Sequence, residues 1–178
     1  MAFSMQLKLA SLILPCVFLP TFFSLAHGSG AGLPSELNAT TTFLSAHNRY
    51  RSIVHIAPLK WSPRLATKAR WIVGEQEKMK QSCRFANMSA SEYGANQALG
   101  GLSMGPQQAV DLWGSRGQFY NHANNTCAPG HECHVYTQIV WKKTVEVGCA
   151  QAWCYKEDAT LALCLYFPPG NVIGEKPY

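Results

Sequence analysis

From Thr40 to Val54, Phe43, Leu44, His47, Tyr50, Arg51 and Val54 recur at helical spacing, which predicts an amphipathic helix. A second helix is predicted with sharper ends. Ser62 can cap it and Pro63 suits its first position, while Leu65, Ala66, Ala69, Ile72, Val73, Gln76 and Met79 mark one face up to Cys83. Pro106 opens a third, with Ala109, Val110, Leu112 and Trp113 on its apolar side, and Gly114 and Gly117 are expected to end it early. Between these, Tyr93 to Gly105 is Gly-rich and reads as a loop, and Asn121 to Cys133 reads as a polar loop. Tyr136–Trp141, Val145–Ala152 and Thr160–Phe167 are dense in β-branched and aromatic residues and are predicted as strands. Pro168-Pro169-Gly170 keeps the following tail irregular. Helices first and strands later predict an α+β packing, and no repeat or long linker divides the chain.

The first residues change the picture. Lys8, an apolar run from Leu9 to Phe23 and the small-x-small Ser24-Leu25-Ala26 predict a secretion signal over 1–26. The run is short and holds Pro15 and Pro20, which argues against a membrane span. A leader over 27–39 and one domain over 40–178, with 168–178 as its tail, are expected to follow. Of the seven cysteines, Cys16 leaves with the signal, and Cys83, Cys127, Cys133, Cys149, Cys154 and Cys164 remain. An even number in a secreted chain predicts three disulfides, with about fifteen pairings open on spacing alone. Sequons at Asn38, Asn87 and Asn124 suit the same route. A net charge of +5 and a pI near 8.9 favour anionic surroundings such as an acidic cell-wall polysaccharide. The Lys and Arg residues are scattered and form no basic stripe, which argues against nucleic acid.

Four motifs carry a resemblance: Ala46-His47-Asn48-Arg49-Tyr50-Arg51, Pro58-Leu59-Lys60-Trp61-Ser62, Tyr136-Thr137-Gln138-Ile139-Val140-Trp141 and Pro168-Pro169-Gly170-Asn171. From Thr41 to Tyr178 the chain resembles the plant class-one pathogenesis-related proteins of the CAP superfamily (cysteine-rich secretory, antigen five, pathogenesis-related). Tyr93-Gly94-Ala95-Asn96-Gln97 and the ending Gly174-Glu175-Lys176-Pro177-Tyr178 resemble the pistil-expressed type. The resemblance implies an α-β-α sandwich with a central antiparallel sheet between helical layers. It also implies the pairings Cys83–Cys154, Cys127–Cys133 and Cys149–Cys164. The first of these closes a long loop, contributing roughly 4 kcal/mol in the chain-entropy model.

Relatives commonly present two His and two Glu in a central cleft, where some bind a divalent metal. By the resemblance His47 matches the first histidine, Ala95 and Arg116 stand at the glutamate positions, and Val135 stands at the second histidine. Zinc needs about three donors, and an arginine brings a fixed positive charge instead, so no metal or other cofactor is expected. His134 on a strand would face away from its neighbour Val135. His131-Glu132-Cys133-His134 suggests a metal cluster when taken alone, but Cys133 has a disulfide partner, and His122 reads as a surface residue. His47 itself is open between a ligand contact and a structural histidine beside Asn96 or Gln138. The candidate cleft residues are therefore His47, Asn96, Arg116 and Gln138.

Six cysteines in three bonds leave no thiolate nucleophile, no Gly-x-Ser-x-Gly elbow occurs, and Glu75 and Glu77 alternate with Lys78 and Lys80 as on a solvated helix face. The expectation is a non-enzymatic, monomeric extracellular protein of the apoplast or cell wall, with a defence-related or reproductive role. The resemblance implies sterol or lipid binding at an aromatic loop, here Phe119-Tyr120 through Asn124. It also offers a precursor that releases a signalling peptide, Pro168 to Tyr178, after Cys164-Leu165-Tyr166-Phe167. A metal-dependent hydrolase is a third reading, disfavoured by the depleted ligand set.

Overall fold

A computed structural model describes residues 34–80, 83–101 and 104–178. The predicted secretion signal, Cys16 and the first part of the expected leader lie outside the described residues. Helix α1 spans Pro34–Ile53, starting before the predicted Thr40. Strand β1 is Lys60–Trp61 and α2 is Pro63–Lys80. The Ser62 carbonyl accepts the Ala66 N–H at 3.0 Å, so Ser62 stands at the start of α2 with Pro63 just inside it. Strand β2 spans Gly94–Gly101 and α3 spans Pro106–Gly114, with a 3-10 turn continuing to Phe119. Gln108 reaches back to the Gly105 N–H at 2.6 Å and closes the start of α3. The hairpin β3 (Tyr120–Asn121) and β4 (Thr126–Cys127) leads to α4, His134–Ile139. Strands β5 (Glu146–Cys154) and β6 (Ala159–Phe167) complete the chain's regular structure.

The four-stranded sheet runs β1-β5-β6-β2. Its three longer strands are antiparallel, as implied, whereas the short β1 pairs parallel to β5 through Lys60 and Glu146. Strand β6 is buried along Ala159–Tyr166, as a strand covered on both faces must be. Its Leu161, Leu163 and Leu165 meet Leu65, Ala69 and Val73 of α2. Its Ala162, Cys164 and Tyr166 face the other layer, with Phe43 of α1, Val110 and Trp113 of α3 and Ile139 of α4. Gly148 lets α2 approach, since a Cβ there would stand 2.2 Å from the Ala66 nitrogen. The bonds Cys83–Cys154, Cys127–Cys133 and Cys149–Cys164 are all present.

Two expectations fail. The segment read as a loop after Tyr93 is strand β2, paired with β6 from Gly94–Tyr166 to Gly101–Ala159. Pairing with an apolar central strand outweighs the weak strand propensity of its glycines and alanines. The predicted strand Tyr136–Trp141 is instead largely helix α4. The Cys133 carbonyl accepts the N–H groups of both Tyr136 and Thr137 at 3.0 Å, and the Thr137 hydroxyl bonds back to the His134 carbonyl at 3.2 Å. Local closure and tertiary contacts override a β-rich composition over so short a span.

Candidate functional site

The inward face of α1 carries two polar residues into the core. His47 is fully buried and Arg51 is 1% exposed. The His47 Nδ1–H donates to the Phe43 carbonyl at 2.7 Å, which leaves Nε2 to accept the Tyr166 hydroxyl at 2.8 Å. Tyr166 in turn accepts Asn96 Nδ2 at 3.1 Å, and the same amide donates to the Val135 carbonyl at 2.8 Å. The chain of donors thus runs Asn96, Tyr166, His47, Phe43 and joins β2, β6 and α1. Burial lowers the His47 pKa to about 4, the Arg51 charge acts in the same direction, and the Phe43 hydrogen bond opposes both. Burial also raises Tyr166 well above its ordinary value, so the hydroxyl keeps its proton.

Arg51 donates to the carbonyls of Ala57, Ile139, Trp141 and Thr144 at 2.8 to 3.1 Å. It closes the end of α4 and the turn into β5 from beneath. Its signal in the sequence was a charged side chain at an apolar-face position of a helix.

A separate cleft of about 690 Å³ lies along the β2 edge. Ala95, Arg116 and Val135 line it, together with Phe85, His131 and His134. These are three of the four positions to which the resemblance assigned the ligand set. His47 is not among the lining residues. Alternation along β2 sends Asn96 into the core beside Tyr166 and puts Ala95 with the opposite cluster, so Ala95 and His47 are on opposite faces. The four carried-over positions do not fit a metal: Ala95 and Val135 have no side-chain donor, Arg116 is a cation, and both His47 nitrogens are engaged. Among the described residues, the tightest grouping of donor types is His47 with Cys149 and Cys164, whose sulfurs are bonded to each other. His134 is exposed and lines the cleft. The facing rule used for it assumed a strand, and on a helix neighbours diverge by about 100° rather than 180°.

Gln138 is buried away from the cleft and holds the tail. Its Oε1 accepts the Gly170 N–H at 3.0 Å and its Nε2 donates to Thr144 Oγ1 at 3.3 Å. Further along, Asn171 bonds Thr137 and the His134 carbonyl, Asn125 donates to the Glu175 carbonyl, and Lys142 N–H donates to the Pro177 carbonyl. The irregular tail is therefore strapped across α4 and the β3–β4 hairpin. In the aromatic loop, Phe119 stacks on His131 with ring centres 3.7 Å apart. Tyr120 is half-buried against Tyr136 and Tyr178, and its hydroxyl donates to Asn125 at 2.7 Å. The adjoining hollow of about 560 Å³ is walled by Phe119 and Tyr120 together with Gln118, Asn121, His122 and Thr126. Asn38, Asn87 and Asn124 are all exposed.

No helix among the described residues is long and apolar enough to cross a membrane. The profile of the cysteine-rich secretory protein (CAP) family matches residues 44–166, more than half of the chain. The STS14 protein of Solanum tuberosum is 52% identical over 79% of this chain, which spans 65% of that protein's length. Pathogenesis-related protein 1B of Nicotiana tabacum is 38% identical over 88% of both chains. Venom allergen-like protein 4 of Schistosoma mansoni shares the fold, with a TM-score of 0.61 at 24% identity over 79% of this chain and 93% of that one. With a family profile over its core and two plant relatives of this identity, the chain belongs to the cysteine-rich secretory protein (CAP) family.

Proposed function

We propose that this chain is a secreted, non-enzymatic plant protein of the pathogenesis-related type, acting outside the cell in defence or in the pistil by holding a ligand rather than converting one. The observation that carries this reading is the commitment of both His47 nitrogens to Phe43 and Tyr166. A general base needs a free nitrogen within reach of substrate, and a metal ligand needs a free lone pair. The six described cysteines are consumed in disulfides, which also suits an oxidising compartment. The name of the tobacco relative, a pathogenesis-related protein, supports the defence setting. For the hollow beside Phe119 and Tyr120, a sterol or other lipid is the candidate ligand, with the polar wall meeting its head group. Native mass spectrometry of the secreted protein tests these points together. The expected result is a monomer with three disulfides, its signal removed, with no zinc and with a lipid-sized adduct. Zinc at one equivalent per chain would overturn the non-enzymatic reading, and repeated absence of an adduct would remove the lipid.

A further inference from the structure

The β2-edge cleft has a charge pattern opposite to that of a cation site. Arg116 projects from the 3-10 turn after α3 and is exposed, and no described carboxylate pairs with it. By contrast Arg49 pairs with Asp111, and Arg64 lies over Tyr93 and Phe167. The His131 ring is held in place by its stack on Phe119, and His134 is anchored at the start of α4, where its carbonyl accepts Asn171 at 2.8 Å. One acidic residue, Glu132, shares the same wall. Phe85, 56% exposed, offers an apolar surface.

We propose that this cleft is a carboxylate-binding site and that its class of ligand is a uronic-acid oligosaccharide. The planar guanidinium of Arg116 matches a carboxylate with two parallel hydrogen bonds. His131 and His134 supply further ring N–H donors. A bare inorganic anion would meet Glu132 with like charge, whereas a hydroxylated sugar gives that carboxylate hydroxyls to accept. The apolar C–H face of the sugar ring lies on Phe85 and on the donor-free floor of Ala95 and Val135. The volume of about 690 Å³ is in the range of small-molecule sites and far exceeds a single anion. The inference rests on the extracellular, ligand-holding reading only for where the ligand would be met. Binding in solution stands or falls separately from secretion and from the lipid.

The test is calorimetric titration of the full disulfide-bonded protein with trigalacturonate, with cellotriose as the neutral counterpart. Saturable binding of trigalacturonate and none of cellotriose is expected. Arg116→Gln should weaken binding by about tenfold or more, with Arg116→Lys intermediate because it keeps charge but loses the fork. Lys60→Gln, a charge removed from the opposite edge of the sheet, should leave the affinity within about twofold. Should Arg116→Gln fail to fold, His134→Ala, at an exposed position, reads the same cleft and should weaken binding. Equal loss in Lys60→Gln and Arg116→Gln would reduce the effect to net charge and overturn the proposal. So would no binding to the wild-type protein, equal binding of cellotriose, or inorganic phosphate binding as tightly as trigalacturonate.

Discussion

The Nε2 atom of His47 lies 2.8 Å from the hydroxyl of Tyr166, across 119 positions of sequence, and both residues are fully buried. The pair ties the first helix to the central strand and fixes the histidine as the neutral Nδ1–H tautomer. A proton added to Nε2 would turn an acceptor into a donor facing the Tyr166 hydroxyl, which now donates to it. Burial is the main reason the ring resists protonation, and the Arg51 charge acts in the same direction.

Stability therefore depends on pH through His47. Its pKa is about 4 in the fold against an ordinary 6.5, so as pH falls the unfolded chain takes up the proton first. The contribution is complete above about 6.5 and is lost progressively down to about 4, at roughly 1.4 kcal/mol per unit and about 3 kcal/mol in all. Urea unfolding at pH 7, 5.5 and 4.5 should show this slope in the wild-type protein. His47→Gln, which keeps a donor and an acceptor, should be less stable at pH 7 but lack that part of the slope. Parallel pH profiles for the two proteins would refute the assignment.

Arg51→Met should cost about 3 kcal/mol or more, because four buried or half-buried carbonyls lose their donor together. Arg51→Lys should recover only part of this, since one ammonium cannot reach both the Ala57 side and the Trp141–Thr144 turn. Denaturant midpoints at unchanged slope report it, and a loss under about 1 kcal/mol in Arg51→Met would show that the carbonyls find other partners.

How much of this was legible in the sequence follows from the range of each signal. Helices α1, α2 and α3 have long, one-sided apolar patterns, and Pro63 and Pro106 fix two of their starts. Strands β5 and β6 announce themselves by Val147, Cys149 and the Leu161–Leu165 run. Strand β2 did not, because Gly94, Ala95, Gly100 and Gly101 gain a strand only from the partner that pairs with them. Helix α4 was hidden for the converse reason: its β-branched residues are turned into a helix by Cys133, Thr137 and Arg51, and two of those contacts need no regular spacing to exist. Of the cleft candidates His47, Asn96, Arg116 and Gln138, Arg116 alone lines the β2-edge cleft, and the other three are buried in the core. His47 was separable from that cleft only once β2 was known to be a strand with alternating faces.

Gly148→Val should destabilise the fold by about 3 kcal/mol, the upper end for overpacking, because the atom it meets is the Ala66 backbone nitrogen rather than a flexible side chain. A thermal melt should fall by several degrees, on the order of 2–4 °C per kcal/mol for a domain of this size. An unchanged melting temperature would mean that α2 does not sit this close to the sheet.

The tail should be protected while the domain is folded. Gln138→Ala removes the acceptor of the Gly170 N–H, so hydrogen exchange at Gly170 should speed up by about tenfold with little change at β6. Release of Pro168–Tyr178 as a peptide would then require local opening, and limited proteolysis should cut the variant's tail faster than the wild type's. Equal exchange and equal cutting would show that Gln138 does not hold the strap.

The most direct measurement is nitrogen NMR of the His47 imidazole, recorded from pH 7 to pH 4 with and without zinc. The Nδ1–H, Nε2-acceptor pattern should persist to near pH 4 and stay unmoved by the ion. A midpoint near 6.5, or a zinc-induced shift at either ring nitrogen, would contradict the placement of this residue in the core hydrogen-bond network.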